Sequence, residues 1–377
     1  MKYLFLLVLL VFFALNVSSE KVEYIKTGNE EAETIEIKSF QKIKPRNIIL
    51  LIGDGTGFNQ ITLSRMAIVG HDSKLYIDTL PFVGISLTHS ADNIVTDSAA
   101  AATAWSTGYK TNNKYLSITP NKEPLQTLPE KLYKKGFLSG LVATSSITHA
   151  TPAAFYAHTD NRYKEKDIAR QLQSSSIDIA LGGGIKFFNT TQENINYITN
   201  LNELSKKELN SKKRIIGLFA DDGIERGKGS PTQSSMTNIA IEHLKERTAN
   251  CSGFFLMSEG SQIDWAGHDN DAKKMIEEFR DFDLTIKEAI KFINTEKDTL
   301  LIVTADHETG GLQILKRSKN LIKVQWGTGS HTGTPVGVFS YGPGAENFEG
   351  TMDNTDIHNK ILNLLNFDEL ENNNCNY

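Results

Sequence analysis

The stretch VTDSAAAATAWSTG, residues 95–108, sets an Asp-Ser pair directly before four alanines. Asp and Ser start helices well, and Ala continues them best. A capped, closely packed helix accounts for this pattern. So does a serine nucleophile at a positive helix end, where an alkoxide or a bound anion is favoured. Ser98 and its neighbour Asp97 are the first candidates for chemistry.

Carboxylates and imidazoles recur in four other motifs. In LIGDGTGF (51–58), Asp54 stands among glycines. The spacing is G-x-G-x-G, not that of a dinucleotide loop, and a carboxylate there would repel a pyrophosphate. A tight turn or a metal ligand fits better. In SEGSQIDWAGH (258–268), Glu259 is followed by Asp264 and His268. The last two are four residues apart, so one helical turn brings them to one face. Such a pair suits zinc, although it is also common on surfaces. IVTADHETGG (302–311) places Asp306 beside His307, and GSHTGTPVGVF (329–339) carries His331 in a glycine-rich loop.

The elements that must position these residues are short apolar runs. They are NIILLIGDG (47–55), LSGLVATSS (138–146), FFLMSEG (254–260), LLIVTADHE (300–308) and VGVFSYG (336–342). Continuous apolar runs of this length suit strands buried on both faces. Helical patterns lie between them, as at 234–248 and 271–293. The alternation predicts an α/β fold with a central, mostly parallel sheet flanked by helices on both faces. Asp54, Glu259, Asp306 and His307 then fall at the carboxyl ends of strands, where open α/β sheets bind ligands. Three strands ending in acids predict a shared metal site. No repeat and no interdomain linker is seen. Residues 20–44 and 189–213 are polar and expected to be peripheral or inserted, within one domain over 20–377.

The bulk numbers agree with a secreted chain. Residues 1–19 join Lys2 to a long apolar run and small residues, the pattern of a cleavable signal peptide. The run is too short for a comfortable membrane span, so no stable insertion is expected after its removal. A formal charge of −5 over 377 residues gives no reason to expect nucleic-acid binding. The two cysteines, Cys251 and Cys375, lie far apart, the second in the polar tail ENNNCNY, and are expected to stay unpaired.

Taken in order, six motifs resemble those of the alkaline phosphatase family, over about residues 45–345. They are IGDGTG, TDSAAAATAWSTG, THATPAAFYAH, SEGSQID, TADHETGG and HTGTPVGVFSYGPGA. The resemblance implies that Ser98 attacks phosphorus. It implies one zinc held by Asp54, Asp306 and His307, and a second held by Asp264, His268 and His331. Paired ions of this kind clamp the attacking and leaving oxygens of an in-line displacement. It implies a magnesium at Asp54, Thr151 and Glu259, and a phosphate-clamping arginine at Arg162 in AHTDNRYK. Two positions that vary in the family carry His149 and Trp265 here. His149 would favour zinc over magnesium at the third site. Trp265 supplies no positive charge to phosphate.

The expected substrates are small phosphate monoesters of broad range, hydrolysed through a phosphoserine in a secreted or periplasmic enzyme. A homodimer is the family's usual state. A monomer is the alternative, because the segment between His307 and His331 is short. A diesterase or nucleotide pyrophosphatase of the same superfamily usually has threonine as nucleophile. A sulfatase needs a Cys-x-Pro-x-Arg motif that is absent. A secreted metal-binding protein without catalysis is the rival from another class.

Overall fold

The computed structural model describes residues 21–31, 33–40, 43–201, 213–227, 229–318, 320–373 and 375. The expected signal peptide lies outside them. In chain order the first half forms β1 (Val22–Lys26), β2 (Asn47–Gly53), α1 (Phe58–Ile68), β3 (Phe82–Leu87), α2 (Ser98–Thr107), α3 (Leu128–Tyr133), β4 (Phe137–Ser146), α4 (Ala150–Ala153), α5 (Glu165–Ser174), β5 (Ile179–Gly183), β6 (Ile195–Ile198) and β7 (Arg214–Leu218). The second half forms α6 (Gln233–Arg247), β8 (Gly253–Gly260), α7 (Gln262–His268), α8 (Ala272–Thr295), β9 (Thr299–Thr304), β10 (Glu308–Thr309), β11 (Gln313–Ser318), β12 (Leu321–Gln325), β13 (His331–Thr332), β14 (Val336–Tyr341), β15 (Gly350–Asp353) and α9 (Asn354–Leu364).

Ten strands make one sheet in the order β15-β3-β14-β9-β2-β8-β4-β5-β7-β6. Only β14 runs against its neighbours β3 and β9; the other adjacent pairs are parallel. The apolar runs have their physical cause here. In β2, Ile49 and Leu51 enter a core shared with α1, α6 and α8. Ile48, Leu50 and Ile52 enter a second core, shared with α2, α3 and α9 on the opposite face. Alternate side chains of one strand thus fill two cores, so every position is apolar.

Two small antiparallel sheets complete the fold, one of β1-β12-β11 and one of β10-β13. The peripheral reading of residues 20–44 is therefore incomplete, because β1 pairs along its length with β12. His331 begins strand β13 rather than sitting in an irregular loop, and it pairs with Thr309 of β10.

One expectation is corrected. Cys251 and Cys375 form a disulfide, with Cα atoms 4.9 Å apart. The tail's path brings them together. Asn373 bridges Lys135 and donates its N–H to Lys134 O at 3.2 Å, while Ser252 N–H donates to Gly136 O at 2.9 Å. Both cysteines therefore flank the same turn, which no sequence spacing reveals.

Candidate active site

The site forms where β2, β8, β4 and β9 end. Ser98 opens α2, and its hydroxyl is buried. Asp97 is the N-cap, its Oδ1 accepting the Ala100 N–H at 3.0 Å. Every residue of α2 is buried, so the alanines serve close packing against α4 and α9. The helix stops at Gly108, with φ +81°, where a Cβ would lie 2.8 Å from His358 Cδ2. Gly55, after Asp54, has φ +69°, and a Cβ there would meet the backbone of Asp264 at 2.8 Å. That close approach is what the glycine permits.

Asp306 and His307 follow β9 and converge rather than diverge. His307 Nε2 lies 2.9 Å from Asp306 Oδ2, 3.8 Å from Asp54 Oδ1 and 3.4 Å from Ser98 Oγ. His331 stacks on the His307 ring, with centroids 3.4 Å apart. The α7 pair meets it there. Asp264 lies 3.3 Å from His268 Nε2 and 3.6 Å from His331 Nε2, and the two histidine nitrogens are 3.1 Å apart.

Three groups of donor atoms are compact enough to hold a metal ion: Asp54, Asp306 and His307; Asp264, His307 and His331; and Asp54, His149 and Glu259. The third joins His149, at the start of α4, to the end of β8. Thr151 is buried beside His149 on α4, its hydroxyl lacking a hydrogen-bond partner. Arg162 reaches in from the loop before α5. It donates to Asp97 Oδ2 at 3.1 Å and to His149 Nε2 at 3.2 Å. Trp265, half-buried on α7, meets the His149 ring edge-on at 6.0 Å.

The electrostatics are severe without a cation. Burial raises the Asp54 carboxyl well above its ordinary range, helped by the charges of Asp306, Asp264 and Glu259. Burial pushes Glu259 to about 7. His149 falls to about 3, through burial and then the Arg162 charge, so it stays neutral. The hydrogen bond to Asp264 lifts His268 to about 9.

Sequence reasoning missed the residues that hold the ligands. Thr309 donates to Asp264 Oδ1 and lies 3.3 Å from His307 Nδ1, linking two ligand groups. Glu308 accepts from Gln60 of α1, from the Gly311 and Leu312 N–H groups, and from Thr332 of β13. It thereby fixes the small sheet carrying His331. Ser261 donates to Glu259. All three stand within two residues of a ligand, which is the one signal the sequence offered.

A family model described as alkaline phosphatase matches residues 45–324. The chain belongs to the alkaline phosphatase family. Alkaline phosphatase 4 of Bacillus subtilis is 33% identical, over 89% of this chain and 92% of its own. The Escherichia coli alkaline phosphatase is 32% identical, over 86% and 87%. The solved alkaline phosphatase from the Antarctic bacterium TAB5 is 36% identical with a TM-score of 0.78, over 86% of this chain and 99% of its own. This alkaline phosphatase is a phosphoric monoester hydrolase of a metal-dependent family, and the fold and metal-capable clusters agree with that. No described helix is long and apolar enough to cross a membrane.

The residues present fit such metals. Both Asp54 oxygens, Glu259 Oε1, Thr151 Oγ1 and His149 Nδ1 are buried with no hydrogen-bond partner. Buried polar atoms are almost always satisfied. Carboxylate oxygens crowded together without donors, as at Asp54 and Glu259, are what divalent cations satisfy.

Proposed function

We propose that the protein is a secreted phosphomonoesterase of broad substrate range that works through a phosphoserine at Ser98. The observation that carries this reading is the position of Ser98 Oγ. It stands at the start of α2, 3.4 Å from His307 Nε2, at the edge of a cluster of unsatisfied buried carboxylates.

The residues divide the work. Arg162 spends two donor groups on Asp97 and His149. A guanidinium has five N–H groups, so the rest can grip two phosphate oxygens in a fork. The α2 N-terminus faces the same phosphate with its unpaired N–H groups and positive dipole end. Ser98 Oγ then attacks in line and the alcohol leaves. Water cleaves the phosphoserine in a second displacement, releasing inorganic phosphate. Two zinc ions in this cluster would lower the pKa of the Ser98 hydroxyl and of water, and neutralise charge on the leaving oxygen. Asp54, Asp306 and His307 would hold one ion, and Asp264, His268 and His331 the other.

Asp54, Glu259 and Thr151 would hold the third metal. Oxygen donors suit magnesium, and His149 would bring zinc there instead. A solved relative 35% identical, a histidine-to-aspartate mutant of the TAB5 enzyme, is described with magnesium in its M3 site. Secretion and assembly as a homodimer, or as a monomer, complete the reading.

The test is hydrolysis of p-nitrophenyl phosphate and its bis ester by wild type and Ser98→Ala, with bound zinc and magnesium counted. Monoester turnover should fall by on the order of 10³ or more in the variant, with metals retained. A better diester rate would instead assign the pocket to a diesterase. Metal binding without hydrolysis of either would leave a non-catalytic protein.

A further inference from the structure

Lys114 has a backbone conformation that lysine does not favour. Its φ is +73°, in the left-handed region where glycine and asparagine are the usual occupants. Asn112 and Asn113 precede it, so residues better suited to that conformation stand next to the position without filling it. The turn is held from both sides. The Lys114 N–H donates to Asp97 Oδ2 at 3.0 Å, and its carbonyl accepts the Arg162 N–H at 2.9 Å. Arg162 Nη1 meets the same Asp97 oxygen at 3.1 Å. Lys114 is thus one shared oxygen away from the guanidinium.

Exposure increases outward along these contacts. The Arg162 side chain is 10% exposed and that of Asp97 16%, while Lys114 is exposed. Three lysines close in sequence to Lys114 or Arg162 are engaged elsewhere. Lys110 pairs with Asp353 at 3.2 Å, and Lys122 and Lys164 share Asp160 at 2.8 and 2.6 Å. Among the described residues, the Lys114 ammonium has no ion pair or hydrogen bond. Strained backbone persists at functional sites when the surroundings over-determine it. Here the surroundings fix the Lys114 main chain beside Asp97 and Arg162, and its exposed side chain carries an unpaired cation.

We propose that Lys114 receives a second anionic group of the substrate, a carboxylate or another phosphate a few atoms from the scissile ester. This gives the enzyme a preference for doubly anionic monoesters. The inference rests on the reading of Ser98 and Arg162 given above. A lysine suits the task, since its long stem lets one charge follow substrates of different length.

The experiment compares sn-glycerol 3-phosphate with 3-phosphoglycerate, which differ at the far end by a hydroxymethyl against a carboxylate. Phosphate release gives kcat/KM for wild type, Lys114→Gln, Lys114→Gly and Lys114→Arg. The preference for phosphoglycerate should fall about fivefold in the Gln and Gly variants and persist in Arg. The glycine variant removes the backbone strain, so a loss there reports the charge. Raising the ionic strength should shrink the wild-type preference and leave the Gln variant unmoved. Intact hydrolysis with one unchanged ratio in all four proteins overturns this inference alone. Wild type that hydrolyses neither ester overturns the phosphatase reading, and this inference with it.

Discussion

One carboxylate, Asp97, both caps the helix that begins with Ser98 and restrains Arg162. Its Oδ1 accepts the Ala100 N–H at 3.0 Å and its Oδ2 accepts Arg162 Nη1 at 3.1 Å. Removing it should therefore loosen two things together. Asp97→Ala should lower stability by about 1 kcal/mol through the lost cap. It should also raise the inhibition constant for inorganic phosphate several-fold, because the arginine is no longer pre-positioned. Asp97→Asn keeps a capping oxygen without the charge, so it should recover the stability and not the affinity. Thermal unfolding and phosphate inhibition separate the two effects.

Trp265 should set how tightly product is held. Its ring meets His149 edge-on, and it packs on Gly223, where a Cβ would come within 2.4 Å of it. It adds no charge to the pocket. Trp265→Lys should lower the inhibition constant for phosphate and slow turnover if release limits the rate. Equal inhibition constants in the two proteins would refute a role for this position.

Thr309 ties Asp264 to His307. Groups that orient metal ligands typically change metal affinity 10–100-fold when removed. Thr309→Val keeps the shape and deletes the hydroxyl. It should lose metal to a competing chelator at about 10-fold lower chelator concentration, with its unfolding curve in chelator unchanged. Retention equal to wild type would reduce Thr309 to packing.

Asp283 should make stability depend on pH. Burial raises its pKa from 3.8 to about 7, against the lowering effect of the Ile77 and Tyr76 N–H groups. Between those values the folded chain holds a proton that the unfolded chain has lost. Stability from this group is therefore full below about pH 4 and disappears as pH rises through about 7. Each pKa unit corresponds to about 1.4 kcal/mol. Denaturant unfolding in chelator, from pH 5 to 7, should show wild type losing stability relative to Asp283→Asn. Parallel curves would mean that Asp283 ionises normally.

The Cys251–Cys375 bridge closes a sequence separation of 124 residues. Cross-links over long loops restrict the unfolded chain, and their removal typically costs about 2–5 kcal/mol. Cys375→Ser should lower the unfolding free energy on that scale. Its kcat/KM should stay within about twofold of wild type, since the bridge lies at the amino end of β8 and Glu259 at the other. A reduced wild type as stable as the oxidised one would contradict this.

Much of this molecule is legible in its sequence, for reasons that are local. An apolar run such as NIILLIG must be a strand buried on both faces, and the residue after it, Asp54, must stand at the strand's carboxyl end. Asp97 and Ser98 must open a helix because capping is a matter of adjacent residues. The four-residue spacing of Asp264 and His268 survives as a 3.3 Å contact because one turn of α7 sets it. Residue types and short spacings thus determined the fold class, the strand-end acids and the helix that Ser98 opens.

Only the tertiary structure decided how these pieces meet. The order of strands brings Asp54, Glu259 and Asp306 together from distant segments. The β10–β13 pairing sets His331 against His307, although 23 residues separate them. Tail packing joins Cys251 to Cys375, and the left-handed turn at Lys114 follows from hydrogen bonds to Asp97 and Arg162. Contacts of this kind depend on the register of whole elements, which the packing of two cores selects and no local spacing encodes.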